Sequence, residues 1–292
     1  MRQRIVEYLD HATGTGLGNI LIPTPTILYG VAVLLLAVIF VRRAWNTGLD
    51  RRGAIETAIV GGIGAFIGAK LLYIILHLES YLLLPSHIFA PGGTVSWGAY
   101  AGSIAAVSLF AAYRRVSVRR TLDVLASCLG LGPFIGRWSC FLNGDDYGVV
   151  TGLPWGVRYP ADSFPYAAHV SDGIISHTES LSAAVHPNQL YLSLNGLLLF
   201  IIMTVMWKRL RDRPGMTFGV FWLLYPASRF FLEFTRDEAL NSVVPFLSAS
   251  QLFCVGAAAS AALFLVTTRG ITGIHHTLKS MHHTRIIEGG KT

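Results

Sequence analysis

The sequence predicts an all-α polytopic membrane protein of about seven transmembrane helices, with an irregular outer cap between helices 4 and 5. Three observations carry this reading. Only 13% of the 292 residues are charged and 52% are hydrophobic, with a mean hydropathy of +0.52; a soluble domain carries about 25% charged residues. Apolar windows recur at 22–41, 57–78, 95–113, 121–137, 190–207, 217–234 and 246–268, each near the roughly 17–25 residues a helix needs to cross the hydrocarbon core. Basic residues follow every second window, the pattern of cytoplasmic loops.

Taken in order, the first window ends at Arg42 and Arg43, and Arg51 and Arg52 precede the second. The second holds the Gly-rich run 61–68, which permits close helix packing, and one cation, Lys70. The third is followed by Arg114, Arg115, Arg119 and Arg120. The fourth carries Asp123 and ends at Arg137, where the polar, Gly-containing run Asn143, Asp145, Asp146 and Gly148 stops the helix. Residues 138–189 form the outer head segment, whose Pro154, Pro160, Pro165, Gly152 and Gly156 predict irregular or short-stranded structure. The fifth window begins at His186-Pro187-Asn188-Gln189 and ends at Lys208, Arg209, Arg211 and Arg213. The sixth contains Arg229, Glu233 and, just beyond, Arg236. After the seventh comes a basic, His-rich tail, 269–292, with Arg269, Lys279, Arg285 and Lys291. The four clusters hold 16 of the 23 Lys and Arg, so the expected orientation is N-terminus outside and C-terminus inside, with residues 1–292 as one membrane-embedded domain.

Composition also excludes. The net charge of +7 sits in the inner loops, where orientation and anionic lipid account for it, so no nucleic-acid partner is expected. Cys128, Cys140 and Cys254 stand singly and give neither metal spacing nor a disulfide framework. His275, His276, His282 and His283 read as a solvated tail, so no metal and no cofactor are expected. The first 20 residues lack an apolar core segment, and no cleaved signal peptide is expected. No inverted repeat of the kind that marks transporters is visible.

What remains is charge at membrane depth. An arginine there costs roughly 2.5–3.5 kcal/mol on insertion scales and is a functional candidate by default. Arg137, Arg229 and Arg236 converge on the outer half, and Glu233, at i+4 from Arg229 and i−3 from Arg236, shares their helix face. Paired guanidiniums suit a phosphate head group. Plainer readings stand beside this one: Arg229–Glu233 as a structural ion pair, Lys70 as a snorkelling side chain, Tyr29 as an interfacial anchor, His186 as a capping residue.

Together these segments resemble the phosphatidylglycerol–prolipoprotein diacylglyceryl transferase family. GRWSCFLNGDDYG (136–148) is similar to its G-R-x-G-N-F-x-N-x-E-x-x-G pattern, HPNQLY (186–191) to H-P-x-Q-L-Y, and YPASRFFLEFTR (225–236) to its aromatic–Arg–Phe–Glu–Phe–Arg signature. IGAKLLY is similar to G-A-R-L-x-Y, with Lys70 for Arg; GGTVSWGAYAG (92–102) resembles the G-G-x-S-F-H-G-G loop; SASQLF near Gln251 is a weaker match. The resemblance implies a multi-pass enzyme of the bacterial inner membrane, with the outer cap on the periplasmic side. It would move the diacylglyceryl group of phosphatidylglycerol to the thiol of a lipobox cysteine in a prolipoprotein signal peptide, releasing glycerol 1-phosphate. Arg137, Arg229, Tyr29, Asn143 and Asp145 are the implied catalytic residues. Arg137, Arg229, Gly148, Glu233, Arg236, His186, Gln189 and Lys70 would bind substrate. Asp145 and Glu233 would orient the arginines.

Three positions depart from the pattern: Trp97 stands for His, Cys140 for Asn and Ser139 for Gly. Trp97 cannot accept a proton, so Tyr29, His186 and Asp145 are the available thiol-activating groups. The alternative is a diverged paralogue acting on another acceptor, or a non-catalytic phospholipid-binding membrane protein; an anion transporter is a third reading.

Overall fold

The structure, a computed structural model, describes residues 25–44, 47–83, 93–237, 242–244 and 247–268; the tail 269–292 lies outside them. Its elements are α1 (Pro25–Ala44), α2 (Arg51–Leu76), α3 (Leu78–Leu83), α4 (Ser96–Tyr113), α5 (Val118–Leu129), α6 (Leu131–Asn143), α7 (Phe164–Ser171), α8 (Asn188–Arg209), α9 (Met216–Glu233), β1 (Ser242–Val244), β2 (Leu247–Ser248) and α10 (Ala249–Thr268). Among the described residues five helical stretches are long and apolar enough to cross a membrane: Ile27–Ala44, Arg51–Leu76, Val118–Asn143, Asn188–Arg209 and Ala249–Thr268. The protein is a multi-pass membrane protein. Helices α4 and α9 are each 18 residues long, but Trp, Tyr, Ser and, in α9, Arg229 and Glu233 dilute their hydropathy.

The closest helix pair is α2 with α4. A Cβ on Gly102 would lie 2.1 Å from the Gly64 carbonyl oxygen, and one on Gly98 2.2 Å from that of Gly68. Glycine at both i and i+4 on both helices lets the backbones touch, the small-xxx-small device of membrane helices. The expected fourth span is two helices, with the α5–α6 joint at Gly130, where a Cβ would meet the Gly196 carbonyl of α8 at 2.5 Å. Helix α6 packs on α1 and α8, while α9 packs on α5 and α8. Helix α10 lies along α9, with Phe264 edge-on to Phe218 and the Trp222 indole donating to Ser260 Oγ.

Asp123, the lone charge of α5, is a cross-helix cap. Its carboxylate accepts from the backbone N–H of Gly215 at 2.7 Å and of Phe218 at 2.8 Å, two of the unpaired donors that open α9. At the same end Arg114 bridges Asp50 and Glu56, and Arg43 donates to the Ser127 carbonyl and Thr204. The loops that follow α1, α4 and α8 therefore gather at one end of the bundle.

Residues 144–187 emerge at the opposite end. They carry α7 and single bridges rather than a sheet: Val150 and Val157 both pair with Val185, and Pro160 pairs with Leu181. Tyr159, fully buried, and Ser182, which receives its backbone N–H, anchor the segment.

Candidate functional site

The arginines meet where α6 and α9 end. Arg137 leaves α6 nearly two turns before its C-terminus, Arg229 and Glu233 sit on the last turns of α9, and Arg236 follows within three residues. Arg137 donates to Asp146, and Arg236 to the other oxygen of the same carboxylate. Arg236 also reaches Glu233 at 3.5 Å, and Arg229 Nη2 lies 2.7 Å from Glu233 Oε2. Among the described residues, three guanidiniums share two carboxylates in this network, leaving one positive charge in excess. The Arg229 side chain is 4% exposed, and its Nη1 has no hydrogen-bond partner among the described residues. A buried, charged donor without a partner is costly, and this arm of the guanidinium has the geometry to receive an anion.

Asp146 is the residue the sequence reading missed. The family pattern implies Asp145 beside the arginines, but the Asp145 carboxylate accepts from Asn143 Nδ2 at 2.7 Å, and Asn143 is exposed. The backbone explains the difference. Gly144 (φ 83°) and Asp146 (φ 54°) both take left-handed conformations, which turn the chain back and aim Asp146 at the guanidiniums. Aspartate is among the few non-glycine residues that tolerate this. Burial works to raise the Asp146 pKa, but Arg137, Arg236 and Arg229 outweigh it and hold the carboxyl below its ordinary value. Asp145 and Asp146 are adjacent in the sequence, and no local signal separates them.

These side chains line one end of a cavity of about 1050 Å³. Tyr29, Trp97, Tyr100, Cys140 and Tyr225 stand near its polar end; Ala32, Leu36, Phe40, Ala65 and Val107 line its apolar length. The Tyr29 hydroxyl is 3.5 Å from Cys140 Sγ. From Tyr29 to Phe40 the α1 wall runs roughly 16 Å at 1.5 Å per residue, about half of a ~30 Å hydrocarbon core. The cavity thus has a charged mouth and an apolar groove one leaflet deep.

Trp97 is 8% exposed, stacks on Phe253, meets Trp222 and Tyr225 edge-on and Tyr100 at a tilt, and donates to Ser250 Oγ at 3.4 Å. The weakly matching SASQLF stretch is a capping box: Gln251 Oε1 accepts from Ser248 N–H and Ser248 Oγ from Gln251 N–H. The same Ser248 hydroxyl donates to Glu233 at 3.4 Å, which ties α10 to the site.

Of the other expected residues, Gln189, Gly148 and His186 support the loop, and neither they nor Lys70 line the cavity. Gln189, fully buried, donates to the Asp145 carbonyl at 2.6 Å and to Tyr159 Oη at 3.2 Å. Gly148 lies where three segments cross; a Cβ there would meet the Thr235 carbonyl at 2.4 Å and His186 Cβ at 2.6 Å. His186 holds that crossing through its backbone, and its ring contacts Tyr191 Oη at 3.2 Å. Lys70 is half-buried on α2, away from the cavity lining. Cys140, Asp145 and Asp146 each offer an atom within 4.8 Å of the others, but both Asp146 oxygens are engaged by guanidiniums, which disfavour a cation there.

A family model described as prolipoprotein diacylglyceryl transferase matches residues 15–267. The phosphatidylglycerol–prolipoprotein diacylglyceryl transferase of Synechococcus elongatus is 31% identical over 252 residues, covering 84% of this chain and 83% of that protein. The protein of the same name from Cereibacter sphaeroides is 32% identical over 222 residues, 73% of this chain and 72% of its own. That from Clostridium tetani is 29% identical over 226 residues, 77% and 84% respectively.

Proposed function

This chain belongs to the prolipoprotein diacylglyceryl transferase family, and on that premise we propose how its own residues carry out diacylglyceryl transfer from phosphatidylglycerol to prolipoproteins. The observation that carries the reading is the guanidinium set with one charge in excess and a buried Arg229 Nη1 without a partner among the described residues, at the mouth of a leaflet-deep apolar groove. The phosphate of phosphatidylglycerol binds between Arg137 and Arg229, and its acyl chains lie along α1 and α4. Tyr29 and Cys140 border the glyceryl carbon.

The acceptor is the lipobox cysteine of the signal peptide. Its thiol gives its proton to water, and the thiolate sulfur attacks the sp³ glyceryl carbon; the C–S bond forms, the C–O bond to phosphate breaks, and glycerol 1-phosphate leaves with the electron pair. The phosphate gains negative charge as it leaves, so the arginines bind the transition state more tightly than the ground state. A free thiol has a pKa near 8.5, so roughly a few per cent is thiolate at neutral pH, enough for attack without the histidine that Trp97 replaces. Asn143 and Asp145 brace the loop that carries Asp146, and Gln189, His186 and Gly148 hold that loop against α9.

The enzyme lies in the bacterial inner membrane with seven spans, α4 and α9 included. The basic loops after α1, α4 and α8 face the cytoplasm, and residues 144–187 form the periplasmic cap. The test is transfer of labelled diacylglycerol from phosphatidylglycerol to a lipobox peptide by purified wild type and Arg137→Ala. Transfer by the wild type and its loss in the variant supports the reading. Arg137-dependent binding of phosphatidylglycerol without transfer points instead to a diverged lipid-binding relative.

A further inference from the structure

The charged side chains at the cavity mouth alternate in sign along one run of contacts: Arg137, Asp146, Arg236, Glu233, Arg229. Both carboxylates are spent inside the run. All five side chains line the cavity; Arg137 and Arg229 are the ends of the run, and Arg236, held between two carboxylates, is the spacer.

Within this run Asp146 has the least support from regular structure. It belongs to neither helix, adopts a left-handed backbone, and gives one oxygen to each of two arginines from separate elements. Those elements are not held by extended packing of their own, since α6 packs chiefly on α1 and α8, and α9 on α5 and α8. Backbone pairing of Gly148 with Arg236, and of Val149 N–H with the Thr235 carbonyl at 3.0 Å, fixes the register that lands Asp146 between them.

We propose that Asp146 is a positioning residue of the transfer reaction: its carboxylate sets the spacing between Arg137 and the Arg236–Glu233–Arg229 arm, so that the donor phosphate is gripped from both sides. The inference rests on the transferase reading above. Asp146 acts through the arginines and is no base for the acceptor thiol, because two guanidiniums occupy its oxygens and hold the carboxyl ionised. Asparagine at this position keeps the shape and loses the charge, leaving two positive charges in excess. Arg137 then swings free, and misplacement of a reacting group by about 1 Å costs on the order of a hundredfold.

The experiment measures kcat and KM for phosphatidylglycerol with the full-length protein in nanodiscs and a lipobox peptide as acceptor, alongside the thermal midpoint. Asp146→Asn is expected to lose roughly 10- to 100-fold in kcat with KM unchanged or lower. Asp146→Glu is expected to recover part of that loss. Arg236→Gln combined with Asp146→Asn is expected to be no worse than Asp146→Asn alone, since Arg236 works through the same carboxylate. An active wild type matched in kcat by Asp146→Asn overturns this inference alone. So does a variant whose loss tracks its thermal midpoint and is not eased by glutamate. A wild type that transfers nothing overturns the transferase reading and this inference with it.

Discussion

Replacing Arg229 by lysine separates charge from geometry. In the folded protein one arm of the guanidinium, Nη2, lies 2.7 Å from Glu233, and the other, Nη1, is buried without a partner among the described residues. In the proposed reading the fork is divided between holding the helix end and receiving the phosphate. An ammonium keeps the positive charge but is a compact point with no fixed fork, so it serves Glu233 or the phosphate, not both in register. The loss is one charge-assisted hydrogen bond, about 1.5–3 kcal/mol, which at 1.36 kcal/mol per decade is roughly 10- to 150-fold in kcat/KM. Arg229→Gln also takes from the buried Glu233 its nearer cation, leaving it Arg236 at 3.5 Å and the Ser248 hydroxyl at 3.4 Å, so the stability loss falls below the roughly 3–5 kcal/mol of a fully unpaired buried charge. The assay is transfer to a lipobox peptide at varied phosphatidylglycerol, with thermal unfolding in detergent as the control. A lysine variant within threefold of wild type in kcat/KM refutes the divided-fork argument. A lysine variant that unfolds as readily as Arg229→Gln shows that the pair serves stability alone.

Two further outcomes are expected. Gly102→Val must push α2 from α4, because even its Cβ would lie 2.1 Å from the Gly64 carbonyl and 2.9 Å from Gly68 Cα; overpacking costs about 1–3 kcal/mol and lowers the thermal midpoint, whereas Gly256→Val, with nothing within 4 Å, leaves it unchanged. His169, 2% exposed, has its pKa pushed below 6.5 by burial, against the opposing pull of Asp237 and Asp172. The folded ring stays neutral while the unfolded one takes up a proton, so its contribution is full above pH 6.5 and is lost as pH falls from there towards the folded value. His169→Phe is expected to flatten the fall of the thermal midpoint between pH 7 and pH 5; an unchanged slope places its origin elsewhere.

The glycines of α2 show how far local pattern reaches. The run 61–68 reads as a close-packing face, but its partner, the Gly98–Gly102 face of α4, becomes visible only when the two helices lie side by side. Asp123 shows the converse: in the sequence it is an anomalous charge in an apolar window, and in the fold it is the cap of α9, reached across 92 and 95 residues of chain. Asp145 fills the family position, yet Asp146 reaches the arginines, because two left-handed residues turn the loop.

The sequence by itself determined the apolar spans, the basic loops and the arginines at the ends of two helices. Hydropathy and charge act over one or two helical turns, and the bilayer imposes their spacing directly on the chain. Only the tertiary structure decided which carboxylate serves which guanidinium. Asp146 and Arg236 are 90 residues apart, and they meet because loop backbone at Gly148 crosses the end of α9 with no side chain in the way.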